Sequence, residues 1–77
     1  MLITDGHIII ADFKTGRPPH LNEVTPTAYC RQMALYGALL AEIYPDKEIS
    51  CWLIWTQDLS ERQVTAKQRA DIILTLG

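Results

Sequence analysis

The sequence predicts an α/β fold in which a β-hairpin, a crossover helix, a further strand and a closing helix surround a mixed sheet. Three observations carry this expectation. "MLIT" and "HIIIADF" are apolar runs on either side of Asp5-Gly6. "TAYCRQMALYGALLAEIY" repeats apolar residues at helical spacing until Pro45. "EISCWLIWT" then returns to a short run rich in aromatic and β-branched residues. With 77 residues there is room for one small domain, near the size at which a single core barely offsets chain entropy.

A D-G pair between apolar runs signals a tight hairpin, so strands are expected at about 2–4 and 7–14. Side chains alternate along a strand, which puts Ile8, Ile10, Asp12 and Lys14 on one face and Ile9, Ala11 and Phe13 on the other. Both faces are apolar up to Asp12, as in a central strand covered on both sides. "TGRPPHLNEV", residues 15 to 24, reads as loop because Gly16, Pro18 and Pro19 suit neither strand nor helix. Thr25 is the expected N-cap and Pro26 the first position of a helix running to about Tyr44. Tyr29, Met33, Tyr36, Leu40 and Ile43, widened by Leu35 and Leu39, predict that this helix is well buried. In the next strand Cys51, Leu53 and Trp55 share one face, Trp52 and Ile54 the other. "QDLSERQ" reads as loop, after which Thr65 caps a last helix with Ala66, Ala70, Ile73 and Leu74 in register.

Composition narrows the function. The chain is 48% hydrophobic and 21% charged, without an apolar run long enough to cross a bilayer. "MLITDGHIII" lacks the basic region and cleavage site of a secretory signal, so the cytoplasm is the expected location. A net charge of −2 argues against a free-standing nucleic-acid binder, since backbone affinity needs excess Lys and Arg. Cys30 and Cys51 belong to no C-x-x-C pair and are expected as buried thiols.

Asp12-Phe13-Lys14 is the segment with chemical potential. A period of two brings the carboxylate and the ammonium out on one face at a strand end. A carboxylate is a hard oxygen ligand for Mg²⁺, and a neighbouring ammonium can hold a water or offset developing charge. The plainer alternative is an ion pair that ends a strand, because three residues match by chance easily.

"DGHIIIADFKTGRPP" followed by "YCRQMALYGALL" resembles the RecB-family nuclease domain of the PD-(D/E)XK superfamily, specifically the C-terminal nuclease end of AddA-type helicase-nuclease subunits. Asp12, Lys14 and Thr15 match a D-[YF]-K-[TS] strand end, and Gln32 and Tyr36 match Q-x-x-x-Y on the helix that follows. The likeness spans roughly residues 5 to 56. It implies a partial restriction-endonuclease-like fold and a Mg²⁺-dependent DNA exonuclease, with Mn²⁺ as a substitute metal. It also implies a metal-binding Asp12, a catalytic Lys14, and Gln32 and Tyr36 that orient the site or the strand. By the same likeness the partners are DNA and an AddB-type subunit acting in double-strand break repair, with ATP bound only by helicase parts upstream. The family also carries an acidic residue on a strand ahead of the hairpin, where this sequence has only Met1 to Thr4 and a turn residue, Asp5. Residues 1–77 are therefore expected to be a C-terminal fragment of a nuclease domain, inactive alone. The alternative from another class is a nuclease-like module kept for interaction or DNA guidance.

Other polar and aromatic residues keep two readings. Gln32 faces either the strand-end site or the backbone of the 15–24 loop. Trp52 and Trp55 either pack the core or stack a base, with packing favoured. His7 and His20 read as surface groups, Arg17 as a solvated or phosphate-binding loop cation, and Arg62, Lys67 and Arg69 as a solvated helix face. Four cysteines would be needed for the iron–sulfur cluster of some relatives, and two inside core elements exclude it. Strands apolar on both faces outnumber the two helices, so self-association as a homodimer is expected.

Overall fold

The computed structural model describes residues 1–20 and 22–76, leaving residue 21 of the expected loop outside the described residues. The hairpin forms where the D-G pair predicts it. β1 (Leu2–Ile3) runs antiparallel to β2 (His7–Lys14), pairing Leu2 with Ile9 and Ile3 with Ile8. Thr4 N–H closes the turn by donating to the His7 carbonyl at 2.8 Å. Gly6 does this without positive φ, so the turn does not draw on the left-handed freedom that D-G pairs commonly supply. Lys47 reinforces the turn by donating to the carbonyls of Thr4 and Asp5.

Helix α1 (Thr27–Ile43) carries the chain across to β3 (Glu48–Trp55), which pairs in parallel with all of β2. β3 turns back into β4 (Ser60–Val64), and α2 (Ala66–Leu76) follows. The result is a four-stranded mixed sheet in the order β1-β2-β3-β4 with two helices. Ile8, Ile10, Met33, Cys51, Leu53, Trp55 and Val64 form the core between sheet and helices. Principal extents of 34 × 30 × 17 Å leave room for one sheet and one helical layer only.

Several expectations fail here, each for a physical reason. β2 is central but covered on one face: Ile8 and Ile10 are buried, whereas Ile9 is 36% and Phe13 64% exposed. Residues 60–63, expected as loop, belong to strand β4, whose only buried member is Val64, because an edge strand can be polar on both faces. The preceding turn seats Leu59 at φ 59°, a left-handed conformation for which leucine is no sequence signal. Asp58 supports this turn, and hydrogen bonds from the Ser60 side chain and backbone N–H hold its carboxyl below the ordinary range.

Thr25 does not cap α1. Pro26 is the N-cap residue and no side chain bonds the helix end. Thr25 instead accepts a hydrogen bond from Arg62 at 3.2 Å. α1 buries Cys30, Met33, Ala34 and Gly37, while Leu35, Tyr36, Leu39 and Ile43 are exposed. Small residues win this face because α2 lies against it. A Cβ on Gly37 would stand 3.1 Å from Arg69 Nε, so the glycine admits the arginine. Arg69 is accordingly no solvated residue: it donates to the carbonyls of Val64 at 2.6 Å and Ile49 at 2.9 Å. On α2 it is Ile72 that packs on the core, with Ala70, Ile73 and Leu74 exposed. Thr65 does cap α2, in a reciprocal box in which Gln68 N–H donates to Thr65 Oγ1 and Thr65 N–H to Gln68 Oε1. Lys67 is solvated as expected, paired with Asp71 at 2.9 Å.

Arg62 also departs from the solvated reading. From β4 it donates to the carbonyls of His20 and Glu23, both at 2.6 Å, and so ties the 15–24 loop to the sheet. Arg62→Ala is expected to leave the core intact but cost about 1–2 kcal/mol. Faster amide exchange and proteolysis between residues 18 and 26 would show it; protection equal to wild type would mean that the loop holds itself.

Candidate functional site

The site lies at the carboxyl end of β2, on the face that α1 covers. Alternation along β2 turns Asp12 and Lys14 to the same side as buried Ile8 and Ile10, and the parallel register sets them beside Leu53 and Trp55. Lys14 is held at both ends: its carbonyl accepts from Thr56 N–H at 2.9 Å, and its ammonium reaches into the space under α1.

Lys14 Nζ stands 2.7 Å from Asp12 Oδ2, with the side chains 16% and 28% exposed. This ion pair is the contact of Asp12 Oδ2, an oxygen otherwise shut away from water. Lys14 Nζ also donates to Gln32 Oε1 at 3.1 Å. Gln32 Nε2 in turn donates to Tyr36 Oη at 3.3 Å. Helical spacing of four aligns Gln32 and Tyr36, and the 17-residue α1 crosses the strand end where Lys14 emerges. The four residues singled out in the sequence thus form one chain of contacts, Asp12 to Lys14 to Gln32 to Tyr36. Of the two readings of Gln32, the structure has the one toward the strand end. Thr15, the fifth matched residue, is exposed.

Tyr29 belongs to the same cluster. Lys14 Nζ lies 4.2 Å above its ring centroid, within cation–π range. The ring is tilted 56° against Trp55 with centroids 6.3 Å apart. In the sequence Tyr29 reads as one more apolar position of the helix; its place one turn ahead of Gln32 was the available signal.

As a metal centre the site offers one carboxylate. Among the described residues no group of three His, Cys, Asp or Glu side chains converges. Mg²⁺ keeps several waters and needs as few as one or two carboxylates beside substrate phosphates, so the Asp12 carboxylate, paired through Oδ2 with Lys14, fits as one ligand of such an ion. The remaining candidates lie elsewhere. His7 Nε2 bonds Ser50 Oγ at 2.7 Å, and His20 bonds Arg17 in the loop. The His20 N–H and the cations His20, Arg17 and Arg62 hold Glu23 low. Trp55 is buried in the core while Trp52 is half-buried on the open sheet face. Cys30 and Cys51 are free buried thiols pushed up by burial. No helix among the described residues is long and apolar enough to cross a membrane. Compared with known proteins, the chain matches no family model, no curated protein and no solved structure.

Proposed function

We propose that this chain is part of a Mg²⁺-dependent DNA exonuclease domain with a restriction-endonuclease-like fold, belonging to an ATP-dependent helicase-nuclease of double-strand break repair. The carrying observation is the continuous chain Asp12, Lys14, Gln32, Tyr36 at a covered strand end, with a partly buried carboxylate paired to the ammonium. In this reading Asp12 ligates the metal. Lys14 holds the attacking water or offsets charge on the phosphate, Gln32 fixes the ammonium by accepting its proton in a hydrogen bond, and Tyr36 is the oxygen on which Gln32 rests. The bound metal supplies polarisation of the phosphate and a lowered pKa for a coordinated water. DNA and an AddB-type subunit are the partners, ATP binds only upstream, and the cytoplasm is the location.

The open edge of β2 leaves room for a further length of paired strand. β1 covers Ile8 and Ile9 only, and from Ile10 to Lys14 that edge has no strand partner among the described residues. Paired residues 2 with 9 and 3 with 8 each sum to 11. A longer parent chain that continued β1 in this register would set the second residue ahead of Met1 opposite Asp12, on the same face. An acid there would complete the metal site.

A second reading, an inactive nuclease-like module for interaction or DNA guidance, is favoured by the single carboxylate and by its occupation with Lys14. Degradation of linear DNA with Mg²⁺ by the longest parent chain, wild type against Asp12→Ala, separates the two. Loss of at least about a hundredfold with folding intact is expected for the enzyme; equal rates, or none in either protein, would favour the module.

A further inference from the structure

We propose that Tyr29 is a positioning residue for Lys14: the face of its ring fixes the ammonium beside Asp12. The part this plays in catalysis rests on the nuclease reading; the placement of the lysine does not.

A lysine is a point charge on a flexible stem with many rotamers, so contacts on several sides are needed to keep its ammonium in one place. Lys14 has three. Nζ is 2.7 Å from Asp12 Oδ2, 3.1 Å from Gln32 Oε1 and 4.2 Å from the centroid of the Tyr29 ring. The two oxygens draw the ammonium by charge and by hydrogen bonding, whereas the ring attracts it through an electron-rich face with no lone pair to be matched. The ring thus constrains the ammonium without competing for a particular N–H.

The ring is itself fixed. Tyr29 lies in the first turn of α1, where its N–H donates to the Pro26 carbonyl at 3.1 Å, and it packs half-buried against the core. Its ring is tilted 56° to that of Trp55 with centroids 6.3 Å apart, and Trp55 is only 1% exposed. Helical spacing does the aiming: positions 29, 32 and 36 follow at intervals of three and four, so one stripe of α1 brings ring, amide and hydroxyl to the strand end. Tyr29 also lines the cleft under Pro18, Pro19 and Val24, which Lys14 does not. With the ring removed, that cleft is the space into which the stem can swing away from Asp12.

The test reads the lysine directly. The chain has three lysines, Lys14, Lys47 and Lys67, so ¹³C relaxation at the ε-methylene carbons of the lysine-labelled 77-residue chain resolves each. Lys14 is expected to be more ordered than Lys67, whose side chain is 86% exposed. Tyr29→Phe is expected to keep that order and Tyr29→Leu to lower it toward that of Lys67. Trifluorophenylalanine at position 29 keeps the shape of the ring and drains its face, so it is expected to lower the order too, and it serves where Tyr29→Leu fails to fold. In the longest parent chain Tyr29→Leu should lower kcat for Mg²⁺-dependent DNA degradation about tenfold with KM unchanged, and Tyr29→Phe should retain it. Order unchanged by Tyr29→Leu or by trifluorophenylalanine, order lost in Tyr29→Phe, a wild-type Lys14 as mobile as Lys67, or a wild-type kcat in Tyr29→Leu would overturn the proposal. A parent chain that degrades no DNA would remove the nuclease reading alone; the order of Lys14, read without metal or DNA, then decides the proposal.

Discussion

Lys14→Met is expected to lower Mg²⁺-dependent DNA degradation by the longest parent chain about a hundredfold or more, and to destabilise the 77-residue chain by about 1–3 kcal/mol. The two effects have one origin. The ammonium contacts Asp12 Oδ2 at 2.7 Å, Gln32 Oε1 at 3.1 Å and the Tyr29 ring at 4.2 Å. Methionine keeps the apolar stem and removes the charge, so Asp12 is left as a buried carboxylate with no cation beside it. Breaking a fully buried pair costs about 3–5 kcal/mol. With 16% and 28% of these side chains exposed, water recovers part of that. Urea unfolding at neutral pH reads the loss as a lower midpoint. The double variant Asp12→Asn/Lys14→Met removes both charges and is expected to regain much of the stability while remaining inactive. If Lys14→Met unfolds at the wild-type midpoint, the ion pair does not compensate the burial of Asp12.

Trp55→Ala is the largest expected effect on the fold, a loss of about 3–5 kcal/mol. Trp55 is the largest fully buried side chain, 1% exposed at the end of β3 and level with Lys14 on β2. It fills the corner between the sheet and the first turns of α1, and a methyl group in its place leaves a cavity that the sheet, hydrogen-bonded on both sides, cannot close. At about 0.05–0.15 kcal/mol per residue, a chain of this length holds roughly 4–12 kcal/mol in total. Trp55→Ala should therefore be largely unfolded or sharply destabilised, visible as collapsed amide dispersion and a shifted thermal transition. Trp55→Phe, which keeps a ring against Tyr29, should retain a cooperative transition. A native-like melt for Trp55→Ala would mean that this end of the sheet lies outside the cooperative core.

What the sequence by itself determined is what depends on neighbours along the chain. The hairpin at Asp5-Gly6, the strand 7–14, the helix ended by Pro45 and the capping box at Thr65 and Gln68 are all written in local turn chemistry and period. The shared face of Asp12 and Lys14, and the alignment of Gln32 with Tyr36, follow from the same periods, whereas the choice of Gln32 and Tyr36 as site residues came from the family resemblance. Only the tertiary structure decided which faces are covered. Apolar residues on both sides of β2 suggested a strand covered on both faces, but α1 and α2 pack against each other through Gly37 and Arg69 on one side and leave Ile9 and Phe13 exposed. The turn of Leu59, the polar strand 60–64, the loop clamp of Arg62 and the Lys14–Tyr29 contact were equally hidden. Each depends on groups distant in sequence, and an arginine or a tyrosine carries no local mark of the carbonyl or ammonium that will meet it once the chain has closed.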